Sequence, residues 1–508
     1  MDEGHEQAEE VTYFDTFDWR LLKAGRRLEL RNGQGTGRRQ ERICRLHGGA
    51  TPLDVSVQGL PKKKPGMAVD LPDGPFRQTV EPLIKMRRLL PTFTVRSTAQ
   101  TWNVLGAENK TVVRLRLETH RLEPHPWPGR PAAETGEKET SLDLTPRLRV
   151  EPIRGYDAAD RKLRDFLHKK LDLRIVERSL FDEAAARSGL RVGGYSSKVQ
   201  IRLGAGESAA DATRAILLHL LDAMEINEDG TRRDVDSEFL HDFRVAVRRT
   251  RAALSQIKRV FPDDRVAHFK REFSWLGKLT GPTRDLDVYL LKMPVYRLDL
   301  PPETRQDLDP LSDFLVRKQR LEQRKLAKGL DSARYRNLVA DWRLFLEGED
   351  PPPLPSDALR PVRDVASERI WKIYRRIIKQ GSVIDDSSPA DDLHDVRLEC
   401  KKLRYLMEFF RSLYPKSEIE GAIRALKRLQ DNLGDFNDYE VQQASLGSLA
   451  EELAKRETQA ATLLAMGRLQ SRLAAGQQAE RDAFTAKFAR FAAPDEQARY
   501  RGLFKSSG

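Results

Sequence analysis

The sequence predicts a multidomain protein: an N-terminal α+β domain with an antiparallel, barrel-like sheet, then a C-terminal all-α domain of two repeated helical bundles. The chain has 508 residues, and a single hydrophobic core rarely serves more than about 250–300 residues. Apolar residues often alternate with polar ones up to about residue 155, whereas they follow a helical period from about 208 to 490. A motif-bearing segment of the helical half also occurs twice, which indicates an internal duplication.

Composition and charge limit the classes to which the protein can belong. Apolar residues make up 39% of the chain, which is enough to build cores and excludes wholesale disorder. Charged residues reach 33%, with 89 Lys and Arg against 77 Asp and Glu, so the net charge is +12. This basic balance favours an anionic partner such as nucleic acid, a phosphate polymer or acidic lipid.

Cysteine usage and hydropathy predict a cytoplasmic protein. Cys44 and Cys400 lie far apart and have no CxxC partner, so neither a disulfide scaffold nor a cysteine-based zinc site is expected. No run of 18 apolar residues occurs, and the opening Met-Asp-Glu-Gly-His-Glu has no basic segment followed by an apolar one. We therefore expect no secretory signal and no membrane partner.

The N-terminal half has the pattern of several short strands followed by helices. Residues 27–31, 93–98 and 111–118 alternate between apolar and polar types, as a strand with one buried face does. A helical pattern follows at 157–171 and again at 177–188. Short strands in sequence order favour an antiparallel sheet or barrel.

Glycines and serines between 193 and 207 predict a linker between the two halves. The first domain is therefore expected at 1–192 and the helical domain at 208–495. Within the helical domain, polar residues, glycine and proline predict chain breaks at Asn227–Asp236 and Pro294–Pro302.

The helical half contains an internal repeat. The segment Leu240-His241-Asp242-Phe243-Arg244 recurs 153 residues later as Leu393-His394-Asp395-Val396-Arg397. The same ungapped offset pairs Arg248 with Lys401, Arg249 with Lys402, Arg251 with Arg404, Pro262 with Pro415, Gly281 with Gly434 and Asp285 with Asp438. These matches predict two similar bundles, at about 208–345 and 356–495, packed as a pseudo-symmetric pair.

One helix of each copy carries two stripes of different character. Apolar spacing predicts a core stripe of Phe243, Val247, Thr250, Leu254, Ile257 and Phe261 in the first copy, and of Val396, Cys400, Leu403, Met407, Phe410 and Tyr414 in the second. Basic residues follow the same period about 100° away. These basic stripes are His241, Arg244, Arg248, Arg251 and Lys258 in the first copy, and His394, Arg397, Lys401, Arg404 and Arg411 in the second.

The basic stripes admit two interpretations. Like charges at i and i+4 repel each other, and a linear polyanion would neutralise them, with guanidinium forks gripping phosphate oxygens. The alternative, for any single stripe, is a solvated basic face. Because the stripe recurs in the same register beside a core seam, we favour an anion site in which the two helices line one groove. Cations on the preceding helix would extend this groove: Lys372, Arg375, Arg376 and Lys379.

Other chemical signals are few. The recurring Asp285 and Asp438 are candidate metal ligands, but partners of buried arginines or helix caps are the favoured interpretation. The sequence contains no P-loop, no HExxH and no GxSxG.

The duplicated helices resemble those of the CHAD family. Their pattern is H-x-x-R-x-x-x-[RK]-[RK]-x-R, from His241 to Arg251 and from His394 to Arg404, and the resemblance covers about 208–490. That family is an all-helical module that binds inorganic polyphosphate. The resemblance implies the same partner here, without a metal or cofactor. The candidate binding residues it implies are the basic stripes, Arg249, Lys402 and the four cations between 372 and 379.

The N-terminal half is similar to the CYTH, or triphosphate tunnel, family. The matching segments are Tyr13-Phe14-Asp15-Thr16, residues 19–25, Leu28-Glu29-Leu30-Arg31, and the later strands and helices to 188. The resemblance implies a barrel with inward charges, in which an opening E-x-E-x-K strand holds a divalent metal for triphosphate chemistry. No such strand precedes Tyr13, so no catalytic residue is assigned. Arg31, Arg114 and Arg116 are candidates for a residual anion site in the tunnel.

Three functions follow, in order of preference. The first is a cytoplasmic polyphosphate-binding protein, which the family resemblance places at polyphosphate granules. The second is a metal-dependent inorganic triphosphatase using Mg²⁺ or Mn²⁺, against which the missing E-x-E-x-K strand argues. The third is a nucleic-acid binder. No recognised nucleic-acid module supports it, and aromatic residues do not interleave with the cations.

Overall fold

The computed structural model describes residues 2–3, 7–32, 42–49, 51–56, 66–106, 109–125, 127, 141–190, 193–196, 199–348, 353–456 and 459–505. The chain divides into two compact units, Met1–Ser196 and Ser197–Gly508. This boundary falls inside the predicted linker at 193–207. We call the two parts the sheet unit and the helical unit.

The sheet unit is built on one antiparallel sheet. Its strands are β1 (Asp2–Glu3), β2 (Gln7–Thr16), β3 (Arg27–Asn32), β4 (Arg42–His47), β5 (Leu53–Ser56), β6 (Leu89–Leu105), β7 (Thr111–Pro124), β8 (Leu142–Asp143) and β9 (Arg147–Pro152). The order is β5-β4-β3-β2-β6-β7-β8, with β1 paired to β6 and β9 paired to β7. The predicted antiparallel architecture is confirmed, and the three predicted strands lie within β3, β6 and β7.

Four helices accompany the sheet: α1 (Arg20–Lys23), α2 (Pro75–Ile84), α3 (Asp157–Leu171) and α4 (Leu180–Arg187). The last two fall within the predicted helical segments. One sheet face is apolar and packs against α1 and α2 through Leu28, Leu46 and Phe76, among others. The other face is apolar at its centre, where Phe181 of α4 packs on Tyr13 and Phe93.

The helical unit contains ten α-helices among its described residues. They are α5 (Ala209–Arg232), α6 (Ser237–Gln256), α7 (Asp263–Leu298), α8 (Asp309–Leu330), α9 (Ala333–Glu347), α10 (Val362–Gly381), α11 (Ala390–Phe409), α12 (Lys416–Ala454), α13 (Ala460–Phe491) and α14 (Pro494–Phe504). The helices that carry the two copies of the motif are α6 and α11. The predicted all-helical character of this half is confirmed.

Both predicted core stripes are buried. Every one of their twelve residues is less than one tenth exposed. At the start of α6, the Asp236 carboxylate accepts hydrogen bonds from the backbone N–H groups of Glu238 and Phe239. The first backbone N–H groups of a helix have no acceptor within the helix, and this N-cap supplies one. The helix therefore begins at a defined residue. Because the core stripe is buried, it sets the rotation of the helix about its axis, and this rotation places the basic stripe beside the core.

Two predicted chain breaks are present, at 233–236 and 299–301, but each begins later than the sequence predicted. Helix α5 runs through Asn227 and Gly230 to Arg232. Gly230 is present for packing, because a Cβ there would lie 2.2 Å from the Phe239 ring. Likewise α7 continues through Pro294 to Leu298. Its neighbours Met293 and Tyr296 are buried in a second core, and we attribute the continuation of the helix to this packing.

Candidate functional site

Helices α6 and α11 contact each other through polar side chains. The Arg248 Nε donates a 2.8 Å hydrogen bond to the Tyr405 hydroxyl. One residue further on, the Arg249 Nη2 donates to the Glu408 carboxylate at 2.8 Å. Since Arg248 belongs to the basic stripe of the first copy and Tyr405 follows a stripe residue of the second, this contact places the two stripes side by side.

The stripe of the first copy lies over α7. The Arg244 Nη1 donates to the Gly277 carbonyl oxygen at 3.1 Å and to the Thr280 hydroxyl at 2.9 Å. Arg251 also lies close to Gly277, because a Cβ built there would be 3.1 Å from the Arg251 Nη1. The glycine therefore gives α7 a surface low enough for two guanidinium groups to lie against it.

The basic stripe of the second copy contacts α12, as that of the first copy contacts α7. The His394 Nδ1 donates to the Asn437 Oδ1 at 2.9 Å, and an Arg397 guanidinium nitrogen lies 3.6 Å from the Asp438 carboxylate. Asp438 therefore pairs with an arginine, one of the two favoured interpretations, although Arg397 is half-buried where a buried arginine was expected. The equivalent Asp285 attracts Arg244 electrostatically, without a contact as short.

Pairwise electrostatic interactions link seven cations on these helices. We call them the cation cluster: Arg244, Arg248, Arg251, Arg284, Arg397, Lys401 and Arg404. Arg248 is at the centre, since its charge acts on cations of α6, α7 and α11. Burial and the charges of Arg248 and other cluster members lower the pKa of Arg244, whereas Asp285 opposes that effect.

Few carboxylates form ion pairs with the cluster. Among the described residues, Arg248, Arg251 and Lys401 make no ion pair with a carboxylate, and neither does Arg244. Arg404 lies 3.3 Å from Glu408, but that carboxylate is shared with Arg249, which is outside the cluster. Other carboxylates act on the cluster electrostatically, namely Asp285 on Arg244, Asp438 on Arg397 and Lys401, and Glu238, Asp242 and Asp287 on Arg284. The positive charge is thus partly compensated, and the cations without an ion pair remain available to an anion.

Lys401 is affected most clearly by this environment. Its side chain is half-buried. Burial, then the charges of Arg397 and Arg248, lower the pKa of Lys401 to about 8, and Asp438 only partly offsets them. The low pKa follows because each nearby cation makes the ammonium form less favourable than the neutral amine.

Three of the predicted binding residues are held in other contacts. Arg249 pairs with Glu408, as described. Arg376 and Lys402 both bind the buried Glu399 carboxylate, at 3.2 and 2.7 Å. Glu399 lies two residues from Lys401 on α11, which is about 200° around the helix. Arg376 and Lys402 are therefore directed toward Glu399, and the extension of the groove along α10 stays a prediction.

The remaining predicted residues lie outside these contacts or at their ends. His241 is half-buried one turn before Arg244, and Arg411 is half-buried in a short 3₁₀ helix after α11. Lys258 is exposed after the end of α6. The exposed face of α10 carries Lys372, Arg375 and Lys379 together with Arg376.

Arg284 is the cluster member that the sequence analysis missed. Its Nη1 donates to the Ser237 carbonyl oxygen at 3.0 Å, and burial is the first cause that lowers its pKa. The repeat gave no direct signal for it, because the equivalent residue of the second copy is Asn437. Its place beside Asp285, a repeated residue, was the available hint.

The sheet unit has a second charged surface, on the face that carries Tyr13. The buried Glu29 carboxylate accepts hydrogen bonds from Arg31, at 2.7 Å, and from His47, at 3.1 Å. Arg31 also reaches Glu9 at 3.1 Å. Arg31 therefore lies on a mixed acidic and basic surface, in which Glu29 and His47 were not predicted.

The other two predicted residues of that surface are on β7. Arg116 lies 3.0 Å from the buried Glu118 carboxylate, and Arg149 of β9 lies 3.5 Å from it. Arg114 is exposed and directly opposite Glu151 in the β7–β9 register. Arg116 is thus brought together with Glu118, while Arg31 has separate carboxylate partners on β2 and β3.

The described residues do not suit a divalent metal. They contain no group of three or more His, Cys, Asp or Glu side chains arranged to hold one. The two buried glutamates of the charged face are each already bound by arginine, and a metal would have to displace these cations to gain its oxygen ligands. No helix in the described part of the chain has the length and apolar character needed to cross a membrane.

Comparisons with known proteins found a family model and solved structures similar to part of this chain. A family model, the CHAD domain, matches residues 215–447. The crystal structure of the CHAD domain from the plant Ricinus communis is 27% identical, with a TM-score of 0.48, covering 57% of this chain and 95% of that one. PptA from Streptomyces chartreusis is 18% identical, with a TM-score of 0.40, covering 55% of this chain and 97% of that one.

No curated protein matched the chain. The family match spans both copies of the motif, from before His241 to after Asp438, and includes every member of the cation cluster. Residues 215–447 of this chain therefore form a CHAD domain.

Proposed function

We propose that the helical unit binds inorganic polyphosphate along the cation cluster. The observation that supports this most directly is a concentration of charge: electrostatic interactions link seven cations, and of these only Arg397 and Arg404 make an ion pair with a carboxylate in the described residues. Assembling such a group costs free energy in the free protein, because like charges repel. A bound polyanion would remove that cost and gain charge-assisted hydrogen bonds.

The composition of the cluster favours phosphate among the anions. Six of its members are arginines, whose planar forks match pairs of phosphate oxygens. The cluster extends over helices of both copies, so a linear polymer can contact several members at once, whereas a single phosphate cannot. The similarity of residues 215–447 to the CHAD family supports the same ligand, because that family binds inorganic polyphosphate.

Nucleic acid fits the same surface less well. Binding of single strands uses aromatic side chains on which bases stack. The aromatic residue at the centre of the cluster, Tyr405, is buried and its hydroxyl accepts the hydrogen bond of Arg248. Its ring therefore offers no open face to a base. We expect a backbone-only contact with DNA, weaker than the contact with polyphosphate.

One titration separates these ligands. The full chain is titrated with long-chain polyphosphate, tripolyphosphate and single-stranded DNA at the same phosphate concentration and ionic strength. We expect the tightest binding for long-chain polyphosphate. Equal affinity for DNA would contradict the proposal. Binding of tripolyphosphate as tight as that of the polymer would show that several cluster members are not engaged at once.

A second proposal concerns the charged face of the sheet unit. We infer that it retains CYTH-like anion binding without triphosphate hydrolysis. The observation that favours it is the row of basic residues around two buried carboxylates, with Arg31 and His47 at Glu29, and Arg116 and Arg149 at Glu118. A triphosphatase is the alternative. Tripolyphosphate binding to a chain whose cluster has been neutralised by substitution would support the site, and metal-dependent phosphate release would favour the alternative.

Polyphosphate binding also leads us to propose a cellular location. A protein whose main ligand is the polymer should collect where the polymer is stored, at polyphosphate granules in the cytoplasm. A fluorescent fusion that remains dispersed in granule-containing cells would contradict this.

A further inference from the structure

Among the cluster members on α6 and α11, the two copies of the motif differ at one position. Lys401 stands where the first copy has Arg248, 153 residues earlier. An arginine in a protein stays protonated, whereas a lysine can lose its proton and become a nucleophile. Lys401 is consequently the one amine among the seven cations that define the cluster.

Charged groups face Lys401 from three helices. On α11 itself these are Arg397 and Arg404, α6 contributes Arg248, and α12 contributes the Asp438 carboxylate. No carboxylate of the described residues lies within ion-pair distance of its ammonium. Since the pKa of Lys401 is about 8, about half of the molecules carry a free amine at that pH.

We propose that Lys401 is a site of spontaneous acylation by acyl phosphates, and that the modification weakens anion binding at the cation cluster. The arginines on either side would hold the phosphate group of the reagent, which brings its carbonyl carbon to the amine. The regulatory half of this inference rests on the proposed polyphosphate binding, whereas the acylation itself needs only the geometry of the cluster.

The reaction requires no other reactant. The lone pair of the neutral Nζ of Lys401 attacks the carbonyl carbon of the acyl phosphate, and a C–N bond forms. The bond between that carbon and the bridging oxygen breaks, and inorganic phosphate leaves with the bonding electrons. The surplus proton on nitrogen passes to water. The product is a neutral amide, so the cluster loses one positive charge.

The next residue along the chain is a matched internal control. Lys402 is also half-buried, so exposure alone does not favour Lys401. Its Nζ donates to the Glu399 carboxylate at 2.7 Å on the far side of α11. This contact occupies the Lys402 Nζ and holds it away from the arginines that would bind the phosphate group of the reagent. Two adjacent lysines thus have the same chemistry available and opposite electrostatic surroundings.

The test is a site-resolved rate measurement. The full chain is incubated with acetyl phosphate at pH 7.5 and 8.5, and peptide mass spectrometry gives the acetylation rates at both lysines. We expect Lys401 to react about tenfold faster or more, since one unit of pKa changes the free-amine fraction about tenfold. With acetic anhydride, which has no phosphate to be bound, the preference should shrink. Equal rates with acetyl phosphate would overturn the inference.

Two further arms separate this inference from the proposed function. Prior addition of long-chain polyphosphate should slow acetylation at Lys401 and leave Lys402 unchanged. Lys401→Arg should keep polyphosphate affinity and Lys401→Gln should lower it. If Lys401 is acetylated but polyphosphate neither binds nor protects, the proposed function is wrong and the acylation stands. If polyphosphate binds and Lys401 shows no preference, this inference is wrong and the function stands.

Discussion

Arg248 donates a 2.8 Å hydrogen bond from its Nε to the hydroxyl of Tyr405, and the two residues belong to different copies of the duplicated motif. Tyr405 is buried, so its position is fixed by packing and it holds the stem of an otherwise exposed arginine. The two Nη groups of Arg248 are left for other partners. The core stripes of α6 and α11 belong to one hydrophobic core, and this contact joins their basic stripes into one electrostatic surface.

Removing two exposed arginines of the first stripe should weaken polyphosphate binding strongly. In Arg248→Ala/Arg251→Ala we expect affinity to fall about a hundredfold, at about 1.5 kcal/mol for each charge-assisted hydrogen bond lost. The dependence of log affinity on log salt should flatten by roughly 0.7 for each phosphate contact, by analogy with single-stranded nucleic acid. Isothermal titration at several salt concentrations measures both quantities.

A matched control uses two arginines of the same unit. Arg320 and Arg324 are exposed on α8 and make no ion pair in the described residues. Arg320→Ala/Arg324→Ala changes the net charge by the same amount, so long-range attraction falls equally. We expect a small change in affinity. A loss as large as that of the stripe variant would mean that net charge, and not the cluster, governs binding.

Substitution of Gly277 on α7 should affect helix stability and polyphosphate affinity in opposite directions. Gly277→Ala adds a Cβ 3.1 Å from the Arg251 Nη1, which must move. Alanine favours a helix over glycine by up to about 1 kcal/mol, so the melting temperature should hold or rise. Affinity for polyphosphate should nevertheless fall. Gly281→Ala is the control, because its Cβ would lie at an ordinary 3.5 Å from the Arg244 Nη1.

Polyphosphate binding should take up protons near pH 8. The pKa of Lys401 is about 8 in the free protein, and a bound polyanion must raise it. Binding at pH 8 therefore adds protons to molecules that carried the neutral amine, while at pH 6 both states are already protonated and uptake disappears. Affinity should fall as the pH rises through 8. Calorimetry in buffers of different ionisation enthalpy measures the uptake, and Lys401→Arg should abolish it.

The same pKa carries a consequence for the free protein. The pKa of Lys401 in the folded state, about 8, lies below its ordinary value of 10.5. Between these two values the unfolded chain binds more protons than the folded one. The contribution of Lys401 to stability therefore rises with pH over that interval.

Periodicity predicted the stripes well because burial acts on each helix separately. Phe243 and Val396 are apolar and face the core, so basic residues about 100° around each helix lie at the edge of the buried face. The internal repeat added a second prediction, that α6 and α11 are structurally equivalent, which periodicity within one helix does not give. Contacts between distant segments were beyond reach, since nothing in the local pattern says that Arg248 meets Tyr405.

Three residues make contacts that the sequence pattern could not predict. Arg376 and Lys402 looked like binding cations because their type and spacing fit, yet both bind Glu399, whose burial depends on how α10 packs on α11. Arg284 was missed for the converse reason, since its contact with the cluster depends on α7. Sequence patterns give the direction of a side chain on its own helix, whereas ion pairs depend on the neighbouring helix.

Glu399 offers a test of that distinction. Glu399→Gln leaves Arg376 and Lys402 without their buried carboxylate, and we expect a loss of about 1–3 kcal/mol in the free energy of unfolding. Affinity for polyphosphate should stay within about twofold, because the cation cluster lies on the other side of α11. Chemical denaturation and calorimetry on one preparation give both numbers. A large loss of affinity in a stably folded variant would place Arg376 or Lys402 in the binding site.

Glu118 decides between anion binding and hydrolysis in the sheet unit. In a triphosphatase its carboxylate would have to hold a metal, yet here Arg116 and Arg149 lie 3.0 and 3.5 Å from it. We therefore expect no release of phosphate from tripolyphosphate with Mg²⁺ or Mn²⁺ between pH 7 and pH 9. Glu118→Gln should lower stability by about 1–3 kcal/mol, since it removes a buried partner from two arginines.

If the sheet unit only binds anions, Glu118→Gln should raise its affinity for tripolyphosphate. With the negative charge of Glu118 gone, Arg116 and Arg149 are freed for phosphate, so Glu118→Gln should bind tripolyphosphate more tightly when the cation cluster carries Arg248→Ala and Arg251→Ala. A metal enzyme requires the opposite, because loss of a carboxylate ligand weakens the metal and its phosphate together. Tighter binding therefore identifies a residual anion site. Metal-dependent turnover that disappears in Glu118→Gln would instead establish the triphosphatase.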